Sequence, residues 1–331
     1  MQLRNVLRAA ELAPGLCGFR SSACRLRWLA RSSASLVQGV QEAQKQAAQR
    51  APRFYVDPAV LRSAAAGAVF QLDALETHHA LRVLRLREGD RLEVCDGRGS
   101  LVAVELRGVT HKKRAYAEAV EGMRQVAWQG PRWEVVAACG AIKGGRADWL
   151  VEKCTELGAW SLCPLLTVRS PGIGRRSVRV RLGEPGDASE EDIDEPERPA
   201  AGREARWERI AQSAVKQSLR AHALRISAPM PVAGLAQRVA AAPLALVAAA
   251  GAPPVRGVLA GLEASGVLAA AGAPGADPAL LLVGPEGDFT PEELAALVDA
   301  GGTLVGLGER RLRVETAALA LLAAATLFSE T

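Results

Sequence analysis

Residues 279–294 read Ala-Leu-Leu-Leu-Val-Gly-Pro-Glu-Gly-Asp-Phe-Thr-Pro-Glu-Glu-Leu, and residues 303–317 read Thr-Leu-Val-Gly-Leu-Gly-Glu-Arg-Arg-Leu-Arg-Val-Glu-Thr-Ala. Ala279 to Val283 is a short apolar run, the pattern of a strand buried on both faces of a parallel sheet. It stops at Gly284-Pro285-Glu286-Gly287, where glycines allow backbone angles and approaches that a Cβ would block. Thr290-Pro291-Glu292-Glu293 is a helix start, with Thr as N-cap, Pro at the first helical position and Glu at the third. Gly301-Gly302 breaks that helix, Thr303 to Leu307 reads as a second strand, and Gly308 ends it. Glu315 to Phe328 reads as a helix apolar on most sides and therefore buried. The order is strand, glycine loop, helix, strand, glycine loop, helix. In open α/β sheets ligands sit at the carboxyl ends of strands, which is where both glycine loops fall.

The chain before these loops reads as two further blocks. Arg53-Phe-Tyr-Val56 opens a segment with a helix from Leu75 to about Leu86. Strands follow at Arg91–Cys95 and Leu101–Leu106, around an Asp96-Gly97-Arg98-Gly99 turn, and at Lys113–Val120. Short strands at this spacing suggest a small β-barrel. Gly122 to Arg132 reads as a linker. Beyond it come a strand at Trp133–Cys139, a helix at Asp148–Gly158, a strand at Leu162–Val168, a helix at Arg203–Ala221, a strand at Leu244–Ala249 and a helix at Val255–Ala264.

Val283 to Phe289 and Leu307 to Ala317 resemble the two signature loops of the RsmE-type 16S rRNA uridine-N3 methyltransferases, of the SPOUT superfamily. Lys143-Gly144, Glu152-Lys-Cys-Thr-Glu-Leu-Gly158 and Arg169-Ser170 give a third match. Phe54 to Val56, His79 to Arg85 and Gly89-Asp90 resemble the PUA-like amino-terminal domain of the same family. The resemblance spans residues 53–328. It implies an α/β fold with a mostly parallel sheet and a trefoil-knotted carboxyl terminus, preceded by a small PUA-like β-barrel. The domains would then be 53–122 for RNA binding and 133–331 for methyl transfer, with an insertion at 177–202.

The resemblance also implies S-adenosyl-L-methionine as cofactor, small-subunit rRNA as partner and a homodimer. Leu282, Gly284, Glu286, Gly287, Leu307, Gly308, Leu312 and Arg313 would line the donor pocket. Arg313, Glu315 and Arg169 are the catalytic candidates, because methylating uridine N3 requires stabilising an anion and removing a proton. Glu315 equally suits a helix-start charge that complements the dipole. Arg82, Arg85, Lys112, Lys113, Arg114, Lys143 and Arg220 are the RNA-binding candidates; a solvated charged face is the competing reading. Asp288 stands where the family has glycine, and Leu219 replaces the glycine of a Gln-Ser-Gly-Arg stretch. Two other activities fit the same features: a SPOUT enzyme acting on another RNA, and a non-catalytic ribosome-assembly factor that keeps the fold.

Composition bounds the remainder. The chain has 331 residues and a formal charge of +5. Residues 1–50 hold eight basic and two acidic side chains, so the rest is nearly balanced. An arginine- and serine-rich, acid-poor leader fits an organelle transit peptide. It does not separate chloroplast from mitochondrion; chloroplast is the working choice. Residues 184–197 carry eight acids and no base, the composition of a surface insertion. No run is long enough to span a membrane. There is no Gly-Lys-Ser/Thr phosphate loop, and the six cysteines show no metal-ligand spacing, so neither a metal nor a structural disulfide is expected.

Overall fold

The computed structural model describes residues 51–62, 64–139, 142, 145–167 and 200–329. The leader, residues 168–199 (which include Arg169 and most of the insertion expected at 177–202) and Lys143 lie outside the described residues.

The first block builds a six-stranded sheet. Its strands are β1 (Arg53–Tyr55), β2 (Val69–Gln71), β3 (Arg91–Cys95), β4 (Ser100–Val109), β5 (Ala115–Ala119) and β6 (Arg124–Gln125). The order is β1-β3-β4-β5-β2, with β6 also on β4. β1 runs parallel to β3 and the other pairs are antiparallel. Phe54, Phe70, Leu92, Val94, Val102, Val104 and Ala117 form its core. Alternation along β3 to β5 places these residues on one face, as the period of two requires.

Two helical pieces lie at the sheet, α1 (Pro58–Leu61) and α2 (Ala74–His78). The helix expected to run to Leu86 stays α-helical only to His78. It then widens into a π-turn over His79–Val83 and ends at Arg85, whose φ is +56°. The helical spacing of Leu75, His79, Arg82 and Val83 that suggested a longer helix does not mark a buried stripe: Leu75 is 79% and Val83 58% exposed, whereas Glu76, Thr77 and Ala80 are buried.

The second block is a seven-stranded parallel sheet, order β10-β8-β7-β12-β11-β13 with β9 also on β8. Its strands are β7 (Trp133–Ala137), β8 (Ser161–Leu166), β9 (Arg225–Ile226), β10 (Met230–Pro231), β11 (Ala245–Ala248), β12 (Ala279–Val283) and β13 (Thr303–Val305). On one face lie α3 (Arg146–Glu156), α4 (Ala200–Ser218), α6 (Val255–Ala264) and α9 (Val314–Ser329), packed through Leu150, Trp207, Leu259 and Leu321. On the other lie α5 (Val232–Ala241) and α8 (Pro291–Asp299), packed through Leu235, Val239 and Leu297. A short α7 (Val267–Ala271) precedes β12. Every residue of β7 and β12 is buried; β12 therefore reads as an unbroken apolar run, while β7 carries one buried charge, Glu134, paired with Arg238.

Local signals explain several boundaries. Thr290 and Glu293 form a reciprocal capping box at α8, with Pro291 at the first helical position. Gly158 at φ +89° closes α3. The helix expected from Arg203 begins at Ala200, so the last residues assigned to the insertion are helical. Within this chain α9 buries one face, through Val314, Ala317, Ala318, Leu321, Leu322 and Ala325, while Leu327 is 65% exposed. The expectation of burial on most sides is therefore met except along a strip at Thr316, Ala320 and Leu327.

Candidate active site

Parallel pairing puts the carboxyl ends of β7, β12, β11 and β13 side by side along one edge of the sheet. Three loops leave that edge and are bonded to one another mainly through their backbones. Ala249 N–H donates to Val305 O at 3.0 Å, Gly306 N–H to Pro253 O at 2.7 Å, and Val255 N–H to Gly306 O at 3.0 Å. The loop after β12 joins them by side chains. Asp288 Oδ2 accepts from Ala250 N–H at 3.2 Å, and Arg311 donates to Glu286 O at 2.7 Å.

The glycines are needed where backbones meet. A Cβ on Gly306 would run into the Ala252 carbonyl oxygen, and one on Gly284 would lie 3.1 Å from the Phe289 ring. Gly308 adopts φ +100° with open space beside it, a geometry that leaves room for a ligand where no side chain intrudes. Asp288, in the glycine position of the resembling loops, adopts φ +61°. A short Asp tolerates this left-handed geometry. Its Oδ1 also accepts the N–H of Phe289 at 2.8 Å, so the departure is compensated locally.

Of the expected donor-pocket residues, the structure brings together Gly284, Glu286, Gly287, Leu307, Gly308, Leu312 and Arg313 on these loops, with Glu286, Gly287, Gly308 and Arg313 exposed. Leu282 differs: it is fully buried in β12 and packs in the core with Leu280, Phe289 and Leu297. Sequence reading missed Gly306 and Arg311, and it took Ala249–Ala252, which lack the polar residues usual there in the resembling family, to make no contact; their main chain does make contacts. Gly306 carries a signal in the alternating Gly-Leu-Gly of 306–308; Ala249-Ala250-Gly251-Ala252 carries none, because only its main chain does the bonding.

Glu315, at the start of α9, is 4% exposed. Its Oε1 accepts from Arg146, the first residue of α3, at 3.1 Å. Its buried Oε2 has no hydrogen-bond partner among the described residues. The pair joins the elements that follow β7 and β13, and so spans the same edge as the loops.

The RNA-binding candidates separate into two places. Lys112 and Lys113 are exposed at the β4–β5 turn and Arg114 is half-buried there. That turn adjoins α2, since Ala115 O accepts from Leu72 N–H and Thr77 Oγ1 accepts from Ala115 N–H. Arg82 and Arg85 are exposed beyond α2. Arg220 instead lies where the two sheets join, 5.6 Å from the Trp128 ring centroid.

The four described cysteines are buried free thiols. Burial pushes Cys95 and Cys139 up to about 12, so these thiols are not nucleophiles at neutral pH. A separate small cleft, lined by Pro164, Arg203, Trp207, Ile226 and Pro229, shares no residue with the loops.

A parallel sheet with interlaced glycine loops at its carboxyl edge, beside a small mixed sheet, defines a class that comparison makes specific. Residues 189–326 match the RNA methyltransferase domain and residues 72–120 the RNA methyltransferase PUA domain. Ribosomal RNA small subunit methyltransferase E of Mycobacterium bovis is 30% identical over 264 residues, 78% of this chain and 86% of that protein. The Bacillus subtilis protein of the same name is 29% identical over 259 residues, 77% of this chain and 88% of its own. The crystal structure of the Neisseria gonorrhoeae enzyme bound to S-adenosyl methionine superposes with a TM-score of 0.58 at 26% identity, covering 83% of this chain and 96% of that one. The chain belongs to the ribosomal RNA small subunit methyltransferase E family.

Proposed function

We propose that this protein methylates N3 of one uridine in small-subunit rRNA, with S-adenosyl-L-methionine as donor, inside an organelle. The observation that carries the reading is the lacing of the loops after β11, β12 and β13 into one edge site. The residues present fit the donor. Glycines keep side chains out of the cradle at Gly306 and Gly308, and the exposed carboxylate of Glu286 suits a cationic ligand. Backbone groups of Gly284, Gly287, Leu307 and Gly308 would hold the nucleoside portion, with Leu312 against it. The bound donor supplies an electrophilic methyl group on a sulfonium centre.

What remains for the protein is the acceptor. Uridine N3 attacks only as its proton leaves. Glu315 offers a carboxylate whose Oε1 is held by Arg146 while Oε2 has no hydrogen-bond partner among the described residues, the arrangement of a positioned proton acceptor. Arg313 is exposed two residues away and suits the developing uridine anion. Arg169, outside the described residues, belongs to the same reading. So do a trefoil-knotted carboxyl terminus and a homodimer. Exposed Leu327 and Trp149 on the packed helices α9 and α3 support the dimer.

Single-turnover methylation at saturating donor tests the assignment. Glu315→Gln and Arg313→Ala should each slow the step by about 100-fold or more while calorimetry still shows donor binding. Near-normal rates in both variants would remove these roles, and a wild-type protein that binds no donor would leave only a non-catalytic assembly factor. Mapping N3-methyluridine in organellar rRNA after gene disruption identifies the base, and a reporter fused to residues 1–50 tests the compartment.

A further inference from the structure

Four arginines and two tryptophans gather where the six-stranded sheet meets the amino-terminal edge of the seven-stranded one. Trp160 immediately precedes β8, and Arg132 immediately precedes β7. The Arg225 guanidinium lies 3.7 Å from the Trp160 ring centroid, and that of Arg132 lies 5.1 Å from it. Trp128 meets Trp160 edge-on, with centroids 5.0 Å apart, and lies 5.2 Å from the His222 ring. Arg220 stands over Trp128, and Arg98 is bridged to His222 by its main chain. Both indoles are half-buried, and Arg98 and Arg225 are exposed.

For three of the four arginines, Arg98, Arg132 and Arg225, no ion pair within the described residues offsets the charge. The nearby Asp96 turns its Oδ1 to the N–H groups of Arg98 and Ser100. Burial, then the neighbouring charges of Arg132 and Arg98, holds the Arg225 guanidinium below its usual range. Crowded like charges are a cost that folding alone does not explain.

Nor is the cluster required to hold the sheets together. Gly99 N–H donates to Ala221 O at 2.9 Å, Ala223 N–H to Gly97 O at 2.8 Å, and Arg53 to Arg220 O at 2.7 Å. Lys216 pairs with Glu76, and Cys95, Leu101 and Val215 form an apolar contact at the same junction.

We propose that this cluster is a second RNA-docking surface, on which unpaired bases of the substrate stack against Trp160 and Trp128 while the arginines take the flanking phosphates. The proposal rests on RNA being the substrate. Flat cations over indoles, half-open to solvent and rich in guanidinium, match single-stranded RNA, whose exposed bases stack on aromatic and arginine planes. The surface lies at the opposite edge of the parallel sheet from the glycine loops. It would therefore fix the position of the RNA at a distance from the reacting base, leaving the chemistry to the other edge.

The test uses the full-length protein and an oligouridylate, with tryptophan fluorescence and affinity as readouts. Trp160→Leu should weaken binding by about 5- to 100-fold, and Trp160→Phe should restore most of it, because a stacking face is worth that much per base. Arg225→Gln should weaken binding and lower the salt dependence by about one ion. Melting temperature and donor affinity should stay near wild type. Unchanged RNA affinity in both variants, or a wild-type tryptophan signal that RNA does not quench, would overturn the proposal. A fall in melting temperature without a change in RNA affinity would do so too, by making the stacks structural. Methylation of small-subunit rRNA by the wild type, measured separately, shows whether the function itself has failed instead.

Discussion

At the carboxyl edge of the seven-stranded sheet the loops are tied mostly by main-chain atoms: Gly306 to Pro253, Val255 to Gly306, Ala249 to Val305. At the seam between the sheets, long charged side chains also carry the bonding. Arg53 donates across it to Arg220 O and Lys216 pairs with buried Glu76, while within the six-stranded sheet Glu93 holds Arg53 in place at 2.6 Å and accepts from Arg124 at 2.7 Å. The contrast has a physical sense. A pocket made of backbone keeps its shape over many sequences but tolerates no added methyl group, whereas a seam made of side chains fails when a group is removed. The two regions should therefore break in opposite ways.

The largest effect belongs to the seam. Arg53 is 8% exposed, and Arg53→Ala leaves Glu93 short of one guanidinium and the Arg220 carbonyl without that donor. Removing one partner of a largely buried pair costs about 3 kcal/mol, measurable by urea unfolding. The pH dependence sharpens this. Burial raises the Glu93 carboxyl, but hydrogen bonds from Arg53 and Arg124 outweigh it and hold the group below its ordinary range. A carboxylate depressed in the folded state contributes stability that is complete above its unfolded pKa and lost as pH falls through the folded one. Wild type should lose stability on acidification below the ordinary carboxylate range, and Arg53→Ala should show a shallower loss there.

Next comes the loop edge, where the change is an addition. Gly306→Ala drives a Cβ against the Ala252 carbonyl oxygen. Backbone has to move, at about 2 kcal/mol, and the loop geometry goes with it. Donor binding by calorimetry should weaken at least tenfold, while Gly257→Ala, inside α6 with nothing near the added methyl, should bind normally. Equal behaviour of the two variants would contradict a backbone-built pocket.

The same contrast explains what the sequence disclosed. Ala279–Val283, the Thr290 cap and Val255–Ala264 are set by local pattern and were readable to the residue. So were the glycine loops, because the strands that deliver them are apolar and the turns carry their own punctuation. Loop 249–254 was opaque: four small residues advertise nothing, and their contribution is the direction of N–H and C=O groups fixed by neighbouring strands. Trp128 and Trp160 were invisible for another reason. One lies in a segment read as linker and the other between a helix and a strand, and only tertiary packing brings them within 5.0 Å. The π-turn at His79–Val83 likewise replaced a regular helix without a sequence cue.

The smallest effect tests a residue of the seam itself. Leu219 follows the last residue of α4 with φ +55°, in a left-handed geometry that costs a Cβ-bearing residue about 1 kcal/mol or more. The chain holds it there because Arg220 must turn back: its N–H donates to Val215 O at 3.1 Å, and its carbonyl receives Arg53. Leu219→Gly relieves the steric strain but loosens the unfolded chain, and the two effects oppose each other. Strain relief should prevail, because Leu219 is only half-buried and gives up little packing. The expected result is a stability gain of about 0.5 kcal/mol, with Arg53→Ala costing the same in either background. A loss on Leu219→Gly would mean that its side chain contributes packing beyond the backbone turn. The seam would then be held at that point by an apolar contact as well as by its charges.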